Sequence, residues 1–170
     1  DRFAKVLIAD ITYIPTKEGW LYLSVVIDLH SRLVVGHQCS GAMPAEIVTD
    51  ALEAAVTQWD LPRGKSIFHS DRGSQYTSCK LRKLLGYHKF KQSMSAKGNC
   101  YDNATCESFF GSLKAELLPN CGYFASRELA RKAIFEYIEG FYNTYRRHSS
   151  LGYISPFEYL KKQNQVALAA

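Results

Sequence analysis

Residues 5–13, KVLIADITY, form an apolar, β-rich run that reads as a strand, and within it stands a single acid, Asp10. Pro15 and Gly19 frame a turn after this run. Residues 20–29 (WLYLSVVIDL) and 32–39 (RLVVGHQC) supply two further strands, joined tightly through His30 and Ser31. Loops this short between consecutive strands favour an antiparallel meander. Beyond Gly41 the period changes: over residues 44–59, Ile47, Val48, Leu52, Ala55 and Val56 recur at helical spacing, and Pro44 suits a first turn. Residues 66–70 (SIFHS) and 90–93 read as short strands on either side of a helix at 77–85. The remainder reads as helical, over residues 103–118, 127–145 and 156–163. A meander, then alternating strand and helix, then helices, predicts an α/β fold: one domain, residues 1–170, with helices packed on a mixed sheet.

Composition narrows the class. An apolar fraction of 46% with 22% charged residues matches globular averages, which argues against disorder. A chain of 170 residues can bury a core without disulfides or structural metal. The net charge of +5 permits a polyanionic partner but equally suits a mildly basic solvated surface. The five cysteines are odd in number and contain no Cys-x-x-Cys pair, so neither a disulfide framework nor a zinc site is indicated. Scattered free thiols fit a reducing compartment, and a cytoplasmic location is expected. No apolar run approaches the roughly 18 residues that span a bilayer, and no signal peptide is visible, so no membrane partner is expected. The chain starts at Asp1 without a Met, which suggests a fragment whose upstream functions lie elsewhere.

Three acids sit where secondary structure would hold them rigidly. Asp10 lies inside an apolar strand, where a carboxylate is costly unless paired or bound to a cation; it could also face outward from a half-solvated strand. Asp71 ends the strand Ile67–Ser70 and precedes Arg72-Gly73-Ser74-Gln75. Carboxyl ends of strands gather ligands in open α/β sheets, although an Asx-turn or helix cap is an ordinary use for such an Asp. Glu107 lies on the predicted helix at the margin of an apolar stripe of Cys106, Phe109, Phe110, Leu113 and Leu117, with Asp102 as its N-cap. Lys114, two turns along, shares the Glu107 face, and the pair could equally be solvated surface. Rigidly held carboxylates suit Mg²⁺ or Mn²⁺, hard ions that take oxygen ligands and promote phosphodiester chemistry in pairs. Three nearby features carry blander readings. Asp28 could reach the site from the second strand, but is expected instead to close that strand before a turn. His69 is a possible neighbour of the acids. Arg146, Arg147 and His148 are expected to complement a helix dipole rather than bind phosphate.

The residues also carry a resemblance. Asp10-Ile11-Thr12-Tyr13, Ile27-Asp28-Leu29, Ser31-Arg32 and His69-Ser70-Asp71-Arg72-Gly73-Ser74-Gln75-Tyr76 resemble bacterial insertion-sequence transposases with a retroviral-integrase-type core, the DDE class. The likeness continues through Ser93-Met94-Ser95, Lys97-Gly98-Asn99, Asp102-Asn103-Ala104, Glu107-Ser108-Phe109-Phe110 and Leu113-Lys114. It ends with Tyr142-Asn143, Arg146, His148, Leu151-Gly152-Tyr153 and Ser155-Pro156. Thirty-five residues separate Asp71 from Glu107, the family's own spacing. The resemblance implies a ribonuclease H-like fold with a central five-stranded mixed sheet, the first acid on the first strand, the second beside the fourth, and the third on a helix. It implies that Asp10, Asp71 and Glu107 are the catalytic, metal-binding residues, holding Mg²⁺ or Mn²⁺, two ions during catalysis. It further implies that Lys114 approaches DNA, and that the partners are element ends and target DNA bound by a homo-oligomer. The family's helix-turn-helix segments are expected upstream of residue 1. An inactive DNA-binding relative, or a ribonuclease or resolvase on the same fold, are the competing readings; retention of all three acids and the long match outside them argue against these.

Overall fold

The computed structural model describes residues 2–59, 61–95 and 104–169. Five strands, β1 (Val6–Thr16), β2 (Gly19–Asp28), β3 (Val34–Ser40), β4 (Ile67–Ser70) and β5 (Lys91–Met94), form one sheet in the order β3-β2-β1-β4-β5. β1, β2 and β3 pair antiparallel as the short loops require, while β4 and β5 run parallel to β1. The ribonuclease H-like, five-stranded mixed sheet implied by the resemblance is therefore present. Its helices are α1 (Glu46–Gln58), α2 (Cys79–Tyr87), α3 (Ala104–Leu117), α4 (Arg127–Phe135) and α5 (Pro156–Ala169).

Strand alternation sorts the side chains of β1 between two cores. Leu7 and Ala9 face one layer, with Val26, Phe68, Tyr76 and the apolar side of α1. Ile8 and Ile14 face the other, with Leu23, Val25 and the α3 stripe Cys106, Phe109, Phe110 and Leu113. The α1 face is the predicted one, buried through Ile47, Val48, Leu52 and Ala55 with Ala51 added. Asp28 does close its strand: its carboxylate accepts from Ala4 N at 2.9 Å, Ser31 N at 2.8 Å and Ser31 Oγ at 2.6 Å. The four cysteines among the described residues are free thiols, as expected; Cys100 lies outside the described residues, as do Asp102 and Asn103 at the predicted start of α3.

Three expectations need correction in the C-terminal part. The helix predicted over residues 127–145 is α-helical only to Phe135 and continues as a π-helix, Glu136–Tyr142. The wider turn carries Asn143 onto the free edge of β3. There its amide accepts from Val34 N and donates to Val34 O, both at 3.0 Å, which occupies backbone groups an edge strand leaves open. The last helix runs to Ala169, well beyond residue 163. Arg146, finally, does not serve a helix dipole. Its guanidinium clamps the Glu116 carboxylate of α3, with Nη2 at 2.7 Å and Nε at 3.0 Å, and donates to Ser112 Oγ at 3.0 Å.

His148 packs edge-on against Tyr142, with ring centroids 4.9 Å apart. Burial, reinforced by Arg146 and Arg32 and opposed by Glu116, lowers its pKa to about 4. Above pH 6.5 the ring is neutral whether the chain is folded or not. Between about 6.5 and 4 the unfolded chain takes up a proton that the folded one refuses, so stability is lost as pH falls through that window. The loss, discounted for solvent screening, is on the order of 1–2 kcal/mol. Urea denaturation at pH 7 and pH 4.5 measures it, and His148→Gln should flatten this part of the curve.

Candidate active site

The parallel register of β1 and β4 pairs Val6 with Ile67, Leu7 with Phe68 and Ile8 with His69. Continued two residues, it sets Ala9 against Ser70 and Asp10 against Asp71. Neighbouring strands lie about 4.8 Å apart, so if that register held one residue past β4 the two carboxylates would emerge side by side on the face that α3 covers. Asp10 is half-buried, and its Oδ1 accepts from Ile11 N at 2.8 Å. Asp71 is exposed just past the end of β4, and its Oδ1 accepts from Gly73 N at 2.8 Å. That Asx-turn is the blander reading of Asp71, and it coexists with a site: the turn fixes one oxygen and thereby aims the carboxylate.

The loop carrying Asp71 is anchored at several points. Arg72 Nε donates to Ser95 O at 2.9 Å, Gln75 Nε2 to Met43 O at 3.0 Å, and Gln92 Nε2 to Tyr76 O at 2.9 Å. A Cβ on Gly73 would stand 3.1 Å from Asp71 Oδ1, so glycine lets the backbone N–H come in close beneath the carboxylate. His69 lies on the Asp71 side of β4, with Nδ1 3.0 Å from Ser93 Oγ and Nε2 3.2 Å from Ser95 Oγ. Both ring nitrogens are thus engaged by β5 and the residue after it, and the ring braces the strand end.

Two buried groups register the acids electrostatically. The Tyr76 phenol is pushed well up, first by burial and then by the charges of Asp10, Cys106 and Asp71. The Cys106 thiol is pushed up by burial, then by Asp10 and Glu107. Asp10 therefore stands between a loop residue that feels Asp71 and a helix residue that feels Glu107. Glu107 itself is exposed in the first turn of α3, where the helix dipole favours an acid. Among the described residues no three His, Cys, Asp or Glu side chains form a cage ready for a metal ion, so Asp10, Asp71 and Glu107 do not stand as a preformed three-acid cluster. Lys114 lies on the same flank of α3, its Nζ 4.8 Å from the centre of the Tyr13 ring, and desolvation lowers its pKa.

Tyr76 escaped the sequence reading as a site neighbour, although it ends the motif that carries Asp71. It is 2% exposed, and neither its hydroxyl nor Ser24 Oγ makes a hydrogen bond of good geometry. Ser24 lies near enough to offset a little of the phenol's upward shift, a loose contact that leaves both hydroxyls unsatisfied. Tyr76→Phe removes one desolvated hydroxyl while keeping the ring, and should stabilise the fold by about 1 kcal/mol. Denaturant titration decides; a loss of that size instead would reveal a working partner for the hydroxyl.

Comparison with known proteins adds kinship to this geometry. The family described as "Integrase core domain" matches residues 2–100, and a second family of the same description matches residues 88–156. A transposase InsF for insertion sequence IS3A of Escherichia coli (strain K12) is 50% identical over 153 residues, covering 90% of this chain and 52% of the relative. The chain thus spans about half the length of the curated relatives it matches. Among solved structures, the simian T-cell lymphotropic virus intasome, in complex with PP2A regulatory subunit B56 gamma, superposes with a TM-score of 0.75 at 16% identity, over 94% of this chain and 55% of the other. The HTLV-2 integrase catalytic core domain in complex with magnesium (trimeric form) gives 0.68 at 16% identity, over 92% and 96%. At such identities the two superpositions speak for the ribonuclease H-like fold alone.

Proposed function

Because this chain belongs to the integrase-core family of insertion-sequence transposases, we propose that it is the part of a transposase that cuts and joins DNA, with Asp10, Asp71 and Glu107 as its catalytic acids. The observation that supports this reading is the parallel register of β1 and β4, paired as far as Ile8 and His69, which if continued two residues would align Asp10 with Asp71 just past the carboxyl end of β4. The donor set fits Mg²⁺ or Mn²⁺, since both ions favour carboxylate oxygens. A preformed three-acid cage is not required, because Mg²⁺ commonly takes one or two carboxylates and completes its shell with water and substrate phosphate. Asp10 and Asp71 would hold the ion pair together, and Glu107 would join them when DNA is bound. Bound there, such ions supply Lewis acidity to the attacking and leaving oxygens of a phosphodiester.

The reaction proposed has two displacements. Water attacks a phosphodiester at the element's end, breaking the P–O3′ bond and freeing a 3′-hydroxyl. That hydroxyl then attacks a phosphodiester of the target, forming one P–O bond as another breaks. The chain's own contribution is placement. The sheet fixes two acids, α3 presents the third, and Lys114 on the Glu107 flank meets the phosphate backbone. The DNA partners are the element ends and the target, and the chain works as a homo-oligomer assembled on them. The resemblance to an intasome chain supports that assembly only at the level of fold.

The test is joining of pre-cleaved, labelled DNA ends to a target plasmid in Mg²⁺ or Mn²⁺, against EDTA. Metal-dependent joined product is the expected result, and joining that persists in EDTA contradicts the reading.

A further inference from the structure

A second polar site lies on the other flank of α3. A cleft of about 620 Å³ opens between the first turns of α3 and residues 142–153, lined by Arg32, Arg146, Arg147 and His148 together with Ser108 and Ser112. At 100° per residue, Thr105, Ser108 and Ser112 lie roughly 100° to 160° around the helix from Glu107, and Lys114 lies within about 20° of it. The cleft is therefore separate from the face that carries the proposed catalytic acid.

Its charge is unbalanced. Of the three guanidinium groups, Arg146 is neutralised by Glu116, and Arg32 is held by a hydrogen bond to Thr105 Oγ1, a neutral partner. Arg147 is exposed, and among the described residues no acid is ion-paired with either Arg32 or Arg147. Arg32 is also held at φ 61°, in the left-handed region, where a bulky side chain is uncommon. His148 lines the cleft, and its Nε2 is a buried polar atom with no hydrogen-bond partner, a group that calls for an explanation. Serine hydroxyls and forked guanidinium donors together match the oxygens of a phosphate.

We propose that this cleft binds a backbone phosphate of DNA, gripping a strand on the side of α3 away from Glu107. The proposal rests on the DNA-acting reading above, but it needs neither metal nor chemistry. A strand held here would be fixed against α3 from behind, so the helix that presents Glu107 would be clamped between two stretches of the same DNA assembly.

Binding in EDTA tests it separately from joining. A fluorescent 20-base-pair duplex is titrated with the wild-type chain, with Arg32→Gln/Arg147→Gln, and with Lys161→Gln/Lys162→Gln, which removes equal charge from α5. The arginine variant should lose about tenfold in affinity near 100 mM salt and about one unit of slope in log K against log salt, roughly 0.9 for the one phosphate contact. The lysine variant should stay within about twofold. Equal losses in both, or none in either, overturn the proposal. Independently of any variant, the ring resonances of His148 in the wild-type chain should shift on adding duplex. No shift at saturating duplex also overturns it. Joining unaffected by Glu107→Gln would remove the catalytic assignment and leave these binding results standing.

Discussion

Glu107→Gln is expected to reduce metal-dependent joining of pre-cleaved DNA ends by at least about 100-fold, the scale on which loss of one principal charge-stabilising group is felt. The substitution keeps the shape of the side chain and removes its charge, so an oxygen that favours a divalent cation gives way to a neutral amide. The fold should scarcely notice. Glu107 is exposed on α3, and an exposed substitution ordinarily moves stability by about 0.5 kcal/mol, with a comparable small term for the lost helix-dipole interaction. The melting temperature should therefore move by only about 2 °C while joining collapses. Asp10→Asn and Asp71→Asn should give the same loss. Wild-type joining by Glu107→Gln would remove this residue from the chemistry, and equal joining by all three would remove the site.

The largest effect on stability should come from a residue with no side chain. Gly36 lies in β3 directly beneath α1. A Cβ there would stand 2.2 Å from Ala51 O, 2.8 Å from Ala55 N and 2.8 Å from Ala55 Cβ. Two of these three atoms are helix backbone, so no rotamer change relieves the overlap; α1 must lift off the sheet. Gly36→Ala should cost about 3 kcal/mol or more and lower the melting temperature by about 10 °C. Adding Ala55→Gly removes one contact of the three and should not restore stability, because Ala51 O remains in the way. A Gly36→Ala protein melting within a few degrees of wild type would mean that β3 and α1 are not so closely apposed.

Much of the site could be read before folding was considered, though unevenly. The α3 stripe was legible because Cys106, Phe109, Phe110 and Leu113 repeat at helical spacing, and that spacing alone put Glu107 and Lys114 on one flank. Asp28 was legible as a turn-closing acid because a strand end followed by His30-Ser31-Arg32 leaves backbone N–H groups for it to accept. Tyr76 was not legible, since an aromatic five residues past the acid of an Asx-turn could face the core or solvent with equal ease. Arg146 was misread because its partner, Glu116, is thirty positions away and reached only where the segment after the π-helix packs against α3.

Local pattern determined the strands, most of the helices and their buried faces, since a period of two or of 3.6 is imposed by the backbone itself wherever one side must leave water. The parallel register between β1 and β4, on which any approach of Asp10 to Asp71 depends, was decided by tertiary structure, because it turns on how the intervening chain crosses over. So too were the π turn that seats Asn143 on β3 and the basic cleft behind α3, both made by groups from distant parts of the chain. Spacing along a chain records which way a side chain faces; only the packed sheet and helices establish what it meets.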